Sequence, residues 1–508
     1  MKKKLAYFMT TSAMAIALTG CGATSSSSVS TSSASSSSST ESSVQVDELT
    51  ATYNELMART ASNQVAIDMW HSFGPGPTPS LEAAVADFEE LFPMIDVTLT
   101  SKGGYDNLKK AVTLEISTGN TPDVVIGYPD HFAEYIAGEI MVPLDSYIDS
   151  TNEDIGIDIN DFHSYYMTEN RQFEVGKTYG LPFNKSTEVF IYNKTFFDKH
   201  EIEVPTTWTE VQTAANAVLT TVRAVINQTP DGNGKKIDAV SGLDFTNVTV
   251  EDFYPMAYDS QANFFITMIR QWGGVYTEIG DSYEQGYIRF DSATTRTAMS
   301  FFQTMYTNHL FAPPQAWEEP SYASNPFKAL KTLMGVSSSA GVYNNIAAAG
   351  EYDLGIAEVP YQSTENAAVI QQGTNIAMLS NSTTLERMAS WMLIRYLTGE
   401  GNVDFAIGAS YLPVRKSGVA SATYQAFINN TTVSNDKDKS IIDSAKVASG
   451  YLADTNPVEW TAFTDPGFIG STEVRDTVGL FFPGVTVGGK TIDAQLAEIV
   501  ALLPYYIE

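Results

Sequence analysis

Aromatic and short polar side chains gather at the ends of the strands that the sequence predicts. Trp70 ends the first of these strands and His71 follows it, and Tyr128 and Asp130 follow the third. In open α/β sheets, ligands bind beyond the carboxyl ends of the strands. Sugars suit such a site, because their C–H faces stack on aromatic rings while their hydroxyls take hydrogen bonds. The pattern therefore predicts a carbohydrate-binding site, with members Trp70, His71, Ser72, Tyr105, Tyr128, Asp130, Ser186, Thr187, Ser339 and Tyr343.

The sequence contains no recognised catalytic or zinc-binding motif. Its five histidines show no i,i+4 pairing and none accompanies a cysteine, so a zinc site is not indicated. A nucleophile elbow, a P-loop and a Gly-x-Gly-x-x-Gly turn after a strand are also absent. We therefore expect a binding protein and not an enzyme. Acidic residues are abundant, so a carboxylate pair for glycoside hydrolysis keeps a surface lipoprotein glycosidase open, and a peptide-binding or adhesive surface protein is a third alternative.

One loop carries part of a calcium-binding pattern. With Asp231 and Asn233 as the third and fifth ligands, Gly234 falls at the turn position of the loop. Thr229 would then be the first ligand, and Val240 stands where a bidentate Glu is expected. A Gly-rich hairpin turn explains the same residues. We expect no cofactor apart from a structural calcium ion here, with the ligands Thr229, Asp231, Asn233 and Asp238.

Strands and helices must position these side chains, and their alternation indicates an α/β fold. Short apolar runs predict strands at Val65–Trp70, Ile95–Thr100 and Val124–Ile126. Helical spacing predicts a helix from Ser80 onward and another over Tyr105–Ser117. Such alternation favours a largely parallel sheet.

The stretch Leu181–Lys194 predicts a strand of a different kind. A Pro-Phe-Asn turn and the polar residues Ser186 and Thr187 precede the apolar run Val189–Tyr192. A strand that is first polar and then buried is what a chain needs to cross from one lobe to another past a wet cleft. An ordinary core strand after a surface turn is the alternative.

The N-terminus carries the signals of an exported, lipid-anchored protein. Residues 1–20 combine Lys2–Lys4 with an apolar stretch too short to span a bilayer, and Leu18-Thr-Gly-Cys21 resembles the bacterial lipoprotein signal. Cys21 is the sole cysteine, and we expect its thiol to be lipidated. Residues 21–64 indicate a Ser-rich tether and a short helix. We therefore expect a protein that is held on the extracellular face of the cell membrane by a lipid anchor only.

The charge balance argues against one class of partner. Lys and Arg number 29 against 59 Asp and Glu, which gives a formal net charge of −30. Such a surface repels phosphate backbones, so we expect no nucleic acid among the partners.

Seven short motifs are spread along the chain in a fixed order. They are Met69-Trp-His-Ser72, Thr121-Pro-Asp-Val124, Tyr179-Gly-Leu-Pro-Phe183, Tyr192-Asn-Lys194, Pro205-Thr-Thr-Trp208, Asn325-Pro-Phe-Lys-Ala329 and Ser410-Tyr-Leu-Pro-Val414. Together they resemble the family 1 extracellular solute-binding proteins of ABC importers, which include the maltose-binding and glycerol-3-phosphate-binding proteins. The resemblance implies an α/β, two-lobed periplasmic-binding-protein fold of type II, with a hinge and a ligand cleft between the lobes. It places residues 65–185 and 352–381 in lobe one, and residues 186–349 and 382–508 in lobe two.

The resemblance also implies ligand positions. Asp130 lies where the maltose-binding relatives have a sugar-binding aspartate, and Ser186 lies where they have a carboxylate that grips glucose hydroxyls. At Ser186 and Thr187 the chain is more similar to the glycerol-3-phosphate binders, which have a Ser-Thr pair there. Arg475 would be a hook for phosphate or carboxylate, although a surface arginine on a helix is the alternative. Similarity to those binders also implies ligand contacts at Tyr105 and Ser339, and it adds Gly373, Tyr411 and Arg475 to the expected site.

The resemblance thus implies a monomeric, membrane-anchored substrate-binding protein. It would capture a carbohydrate in its cleft and deliver it to the permease subunits of an ABC transporter. A glycerol-3-phosphate or glycerophosphodiester ligand is the alternative, because of the Ser-Thr pair at positions 186 and 187.

Overall fold

Strands and helices alternate along the chain, as the sequence predicts. The computed structural model describes residues 38–347, 351–451, 453, 455–503 and 506. The predicted signal peptide, Cys21 and part of the predicted tether lie outside these residues. Every contact discussed below lies within the compact unit Gln45–Glu508. No helix in this described part of the chain is long and apolar enough to cross a membrane.

A sheet of mixed strand direction runs through the described residues. Its ten strands follow the order β2-β1-β3-β11-β4-β9-β5-β8, with β10 paired to β4 and β12 paired to β11, while β6 and β7 form a separate hairpin. The strands are β1 (Val65–His71), β2 (Ile95–Ser101), β3 (Val124–Gly127), β4 (Leu181–Asn193), β5 (Met256–Tyr258), β6 (Thr277–Ile279), β7 (Gly286–Ile288), β8 (Phe311–Ala312), β9 (Met334–Ser338), β10 (Leu354–Ala357), β11 (Ala368–Met378) and β12 (Thr461–Phe463).

Helices pack on this sheet and against one another. The helices are α1 (Ser38–Met57), α2 (Thr78–Leu91), α3 (Tyr105–Ile116), α4 (Pro129–Ala137), α5 (Asp145–Ile148), α6 (Ser164–Thr168), α7 (Lys194–Lys199), α8 (Trp208–Ile226), α9 (Gln261–Gln271), α10 (Ala293–Thr307), α11 (Ser324–Lys328), α12 (Thr384–Leu397), α13 (Asn402–Ala409), α14 (Lys416–Ala420), α15 (Ala422–Ile428), α16 (Asp436–Gly450), α17 (Ser471–Val478), α18 (Phe481–Val485) and α19 (Ile492–Leu502). The helices predicted after the first and second strands are confirmed as α2 and α3.

β1, β2 and β3 are the parallel strands that the sequence predicts. β1 pairs with β2 from Val65 opposite Ile95 onward, and it pairs with β3 through Met69 opposite Val124. Successive residues of a strand point to opposite faces of the sheet. Met69 is buried in the core, so Trp70 lies on the other face.

β4 and β11 run antiparallel to each other and pass through two separate hydrophobic cores. We name as core one the cluster that contains Phe183 of β4 and Ile376 of β11. Core two is the cluster that contains Phe190 of β4 and Ile370 of β11. All 13 residues of β4 are buried. The strand predicted at Leu181–Lys194 is therefore confirmed, and it passes from one core to the other.

The two cores divide part of the chain differently from the lobe boundaries that the resemblance implies. α12 and α13 pack in core one through Met388 and Phe405, whereas those boundaries put residues 382–508 in lobe two. Tyr352 and Val359 pack in core two, whereas residues 352–381 are expected in lobe one. The physical reason is that the chain changes core in the middle of β11.

Candidate ligand-binding site

Two neighbouring cavities lie against the middle of β4 and β11. We name them the main cavity, with a volume of about 700 Å³, and the side cavity, with a volume of about 190 Å³. Their shared wall consists of Tyr105, Tyr128, Gln372 and Gly373. The main cavity is also lined by Ser186, Asp259, Tyr322, Ser337, Asn344 and Tyr411. The side cavity is also lined by Asp130, His131, Tyr276, Thr277, Asp465 and Arg475.

Four tyrosines form the aromatic part of the main cavity. Tyr105, at the start of α3, packs edge-on against Tyr128, at the end of β3, with 5.0 Å between the ring centroids. Tyr411, which follows α13, lines the same cavity as Tyr105. Tyr322 belongs to the loop before α11 and is 59% exposed. These rings offer apolar faces with hydroxyls at their edges, which suits a ligand that is both apolar and polar.

Hydroxyl and amide groups supply most of the remaining polar wall. Ser186 on β4 lies opposite Gln372 on β11 in the strand pairing, and both line the main cavity. Ser337 follows from β9, and Asn344 and Asn345 belong to the short turn of helix after it. Such groups can each donate or accept hydrogen bonds without carrying charge.

Asp259 is the charged residue among those that line the main cavity. It follows β5 directly, and its Oδ1 accepts a 2.7 Å hydrogen bond from the backbone N–H of Ala323. Burial raises the pKa of Asp259 to about 6, because a carboxylate loses its hydration there. The main cavity therefore presents a weakly acidic carboxyl beside the aromatic rings.

Arg475 in the side cavity is already engaged by protein groups. Its guanidinium forms an ion pair with Asp465 and also donates to the side-chain oxygen of Asn263 on α9. Burial raises the pKa of Asp465, and the charge of Arg475 opposes that rise. The positive charge that the resemblance assigned to an anionic ligand is thus neutralised within the protein.

Asp130 stays ionised at the wall of the side cavity. Burial opposes its ionisation, but His131, the hydroxyl of Thr472 and the cations Lys109 and Arg475 together hold its pKa below the usual value. Thr472 donates a hydrogen bond to Asp130, and Lys109 donates to Thr472 at 2.9 Å. The side cavity therefore contains a fixed negative charge.

A buried carboxyl links β4 to Arg475. Glu188 accepts hydrogen bonds from the hydroxyl of Tyr258 at 2.5 Å and from the side-chain amide of Asn263 at 3.0 Å. Burial raises the pKa of Glu188 to about 7. Since Asn263 also contacts Arg475, the chain Glu188–Asn263–Arg475 connects the crossing strand with the side cavity.

A buried ion pair holds the same strand on its other side. Lys185 of β4 is paired with Glu169, and the side chains are 1% and 3% exposed. Lys185 also donates to the carbonyl oxygen of Gly373 at 3.2 Å, which ties β4 to the shared wall. Burial lowers the pKa of Lys185 and raises that of Glu169, while each charge opposes the shift of the other. Removal of one partner would leave an uncompensated buried charge.

The structure brings together seven of the predicted binding residues and leaves the others out. Each of the seven lines one of the two cavities. They come from β4, β11, α3, α4, α17 and the ends of β3 and α13, which are distant in sequence. The seven are Tyr105, Tyr128, Asp130, Ser186, Gly373, Tyr411 and Arg475.

Three predicted residues at the end of β1 and after it do not line these cavities. Trp70 points to the face that carries Asp68, to which its indole donates at 2.6 Å, and the amine of Lys102 lies 3.3 Å from its ring centroid. His71 is buried, and its Nδ1 accepts a 3.2 Å hydrogen bond from the backbone N–H of Phe73. Ser72 is buried as well. The strand pleat, together with this local packing, turns these side chains away from the cavities.

Three further predicted residues also lie outside the two cavities. The hydroxyl of Thr187 donates a hydrogen bond to the backbone carbonyl of Ile370 at 2.9 Å, and the backbone N–H of Thr187 donates to the hydroxyl of Ser339 at 3.0 Å. These two residues therefore join β4 to its neighbours. Tyr343 lines a separate cavity beside Lys437, whose amine lies 5.0 Å from the ring centroid.

Five of the cavity residues that were not predicted show why the sequence missed them, because most gave no signal. Asp259 follows β5, which is too short at three residues to stand out. Tyr322, Tyr276 and Asp465 come from loops, where no periodicity marks a position. Gln372 could have been predicted, because it directly precedes the predicted site residue Gly373.

The predicted calcium loop closes through its own hydrogen bonds. Asp231 accepts the backbone N–H groups of Asn233 and Lys235, both at 2.8 Å. The carboxylate of Asp238 accepts a hydrogen bond from the backbone N–H of Ser241, and its Oδ2 lies 2.6 Å from Nε2 of His200. Within the described ranges, no group of three or more acidic, histidine or cysteine side chains could hold a metal ion. Calcium binding stays a prediction.

Solved structures with the same architecture are sugar-binding and glycerophosphocholine-binding proteins. The UgpB protein of Mycobacterium tuberculosis, in complex with glycerophosphocholine, matches with a TM-score of 0.65 and 18% identity over 87% of this chain and 98% of its own. The GacH receptor of Streptomyces glaucescens, solved unliganded and with acarbose, matches with a TM-score of 0.64 and 17% identity over 87% of this chain and 97% of its own. The ABC substrate-binding protein Lmo0181 of Listeria monocytogenes, in complex with cycloalternan, matches with a TM-score of 0.64 and 17% identity over 87% of this chain and 100% of its own. These likenesses establish the two-lobed fold.

The sequence itself also matches a family. Residues 83–432 fit the profile of the bacterial extracellular solute-binding proteins, which is more than half of the chain. The matched range contains most of both cores, all of β4 and β11, and every residue that lines the main cavity except Gly74. This chain therefore belongs to the bacterial extracellular solute-binding proteins.

Proposed function

We propose that this solute-binding protein captures a carbohydrate outside the cell and delivers it to the permease of an ABC transporter. The observation that carries the proposal is the wall of the main cavity, where four tyrosines face hydroxyl and amide groups. Stacked rings take the C–H faces of a sugar, and the polar groups take its hydroxyls. A volume of about 700 Å³ lies within the range of about 300–1,000 Å³ that small-molecule sites occupy.

A glycerophosphate ligand is supported less well by the charges. Arg475 is the cation in the side cavity, and it is already paired with Asp465. Asp259 adds a carboxyl to the main cavity. A phosphate would therefore meet acidic groups without a free lysine or arginine among the residues that line the two cavities. Glycerophosphocholine in a structural neighbour keeps this ligand class as the rival in the test.

Ligand capture would work by closure of the two lobes. β4 and β11 are strands that pass between the two cores beside the cavities, so they are the natural hinge. To turn a mostly open protein into a mostly closed one, a ligand needs about 5.5 kcal/mol of differential binding. Several stacked rings and hydrogen bonds are enough to supply it.

The remaining parts of the proposal concern attachment and chemistry. Cys21 would be lipidated and would hold a monomer on the extracellular face of the membrane through the Ser-rich tether. The protein would release its ligand chemically unchanged. Incubation with candidate saccharides followed by product analysis tests this point, since turnover would favour the glycosidase alternative.

For Asp231, a melting temperature that falls with a chelator and returns with Ca²⁺ would support the calcium site.

A panel of ligands tests the substrate class. Neutral oligosaccharides of different linkage, glycerol 3-phosphate, glycerophosphocholine and short peptides are added separately, and the melting temperature is measured. We expect saccharides to raise it and the others to leave it unchanged. A rise with glycerol 3-phosphate alone, or with peptides alone, would overturn the carbohydrate assignment.

A further inference from the structure

The side cavity carries more negative charge than its cations neutralise. Arg475 is paired with Asp465, and Lys185 is paired with Glu169. Three further carboxylates at or near its wall, Asp106, Asp130 and Asp476, form no ion pair with lysine or arginine among the described residues.

One of these carboxylates, Asp476, responds to the other two. Burial raises the pKa of Asp476, and the charges of Asp106 and Asp130 add to this rise, while Arg475 and Lys109 oppose it. Lys109 lies nearby, but it is paired with Glu134 at 2.8 Å. Like charges held together disfavour ionisation unless a cation joins them.

Three buried polar groups at the same cavity have no hydrogen-bond partner in the described part of the chain. They are Nδ1 of His131, the hydroxyl of Tyr276 and the hydroxyl of Thr277, and their residues are 3%, 8% and 5% exposed. Buried polar groups are nearly always paired, and one left unpaired is costly. Three such groups around one cavity of about 190 Å³ indicate that a polar ligand group completes them.

The charge decides what kind of polar group this is. Anions are disfavoured, because the only guanidinium in the wall is occupied by Asp465 and Asn263. A metal ion is also disfavoured, because no cluster of three or more suitable ligands exists among the described residues. An ammonium group suits both the unpaired carboxylates and the unpartnered polar groups, since it brings a positive charge and three hydrogen-bond donors.

We propose that the side cavity binds a protonated amine of the ligand, so that the protein prefers amino-bearing saccharides to neutral and acidic ones. The sugar ring then lies against the tyrosines of the main cavity, and its amine reaches past Tyr105 and Tyr128 to Asp130 and Asp476. This inference rests on the proposed function, because it assumes a carbohydrate in the main cavity.

Matched saccharides test the preference for an amine. Glucosamine oligomers, their N-acetylated forms and cello-oligosaccharides share one linkage and differ at a single carbon, which carries an amine, an acetamide or a hydroxyl. An amino-substituted maltotriose and maltotriose give a second pair with another linkage. Calorimetry in a slightly acidic buffer measures each affinity. We expect the amine to bind about tenfold more tightly than its neutral counterpart in at least one series.

Variants then locate the effect in the side cavity. Asp476→Asn and Asp130→Asn should each lower the affinity for the amino saccharide about tenfold more than the affinity for its neutral counterpart. Added salt should weaken the amine form selectively. Asp87→Asn on α2, an exposed site with the same charge change, is the control.

The outcomes separate the inference from the proposed function. Equal affinities for amine and hydroxyl forms, or variants without selective loss, overturn the inference while the carbohydrate function stands. If no saccharide of any kind binds, the carbohydrate function fails, and this inference fails with it.

Discussion

Gly373 on β11 lies so close to Asn184 on β4 that a Cβ atom at position 373 would be 1.9 Å from the carbonyl oxygen of Asn184. The φ angle of Gly373 is +92°, a region that side chains disfavour. The strand pairing shifts its register between Thr374 and Asn375, one residue after this glycine. The close approach therefore shapes the wall that the two cavities share.

Gly373→Ala should destabilise the protein strongly. The added methyl group would push β4 and β11 apart and would also strain the backbone, and we expect a loss of about 2–4 kcal/mol in the free energy of unfolding. Denaturant unfolding measures this loss. Gly232→Ala, at an exposed glycine with open space around it, is the matched control and should change little. Equal stability of both variants would show that β11 accommodates a side chain at 373.

Ser186→Ala should weaken ligand binding without unfolding the protein. Ser186 lines the main cavity from β4, and its removal deletes one hydrogen-bonding hydroxyl at the cost of about 1 kcal/mol of binding. Calorimetry with a saccharide that binds the wild type measures the change. Ser300→Ala on the exposed face of α10 is the control. If the affinity of Ser186→Ala equals that of the wild type, Ser186 is only a structural residue of the strand.

Tyr276→Phe should change stability and binding in opposite directions. Its hydroxyl is buried at the side cavity without a partner among the described residues, so its removal relieves a penalty of about 1–3 kcal/mol in the ligand-free protein. The same change removes a group that the ligand would satisfy, so the affinity should fall. Melting temperature without ligand and calorimetry with ligand give the two readings. A variant that loses stability would show that the hydroxyl already has a partner.

Glu188 should make stability depend on pH between its two pKa values. Burial raises its pKa in the folded protein from 4.5 to about 7, so between these values the unfolded chain is ionised while the folded one keeps its proton. The unfolded state then binds fewer protons, and stability falls as pH rises, by about 3 kcal/mol in total for an isolated group. Below pH 4.5 this loss is absent, and above about pH 7 it is complete.

Glu188→Gln tests this pH dependence, because it removes the ionisation and keeps the shape. The variant should show a shallower fall of unfolding free energy between pH 4.5 and about 7 than the wild type. Glu82→Gln, on the exposed face of α2, is the control with the same change of charge. A slope identical to that of the wild type would mean that Glu188 is ionised in the folded protein.

The sequence predicted the parts of this site that have a local signal. Leu181–Lys194 could be recognised because a polar start and an apolar end are visible within one stretch, and the structure has β4 there. Tyr105 and Tyr128 were predicted from their places beside strands and helix starts. Each of these signals lies within a few residues of the chain.

The parts that failed depend on which way a side chain points and on distant contacts. Trp70 sits at the end of β1 as predicted, but the alternation of the strand places it beside Asp68 and Lys102. Asp259 and Tyr322 reach the cavity from a three-residue strand and a loop, which leave no periodic pattern. The pairing of Arg475 with Asp465 follows from tertiary packing alone, and it neutralises the charge that the family resemblance assigned to an anionic ligand.

The central claim is that the main cavity captures a carbohydrate and leaves it unchanged. Mass spectrometry of the ligand that remains bound through mild purification, after exposure of the protein to a mixture of saccharides and glycerophosphates, tests it most directly. We predict an intact saccharide, at about one per protein chain by the one-site geometry of the cleft. A phosphate ester, a peptide or a shortened saccharide as the bound species would contradict the claim.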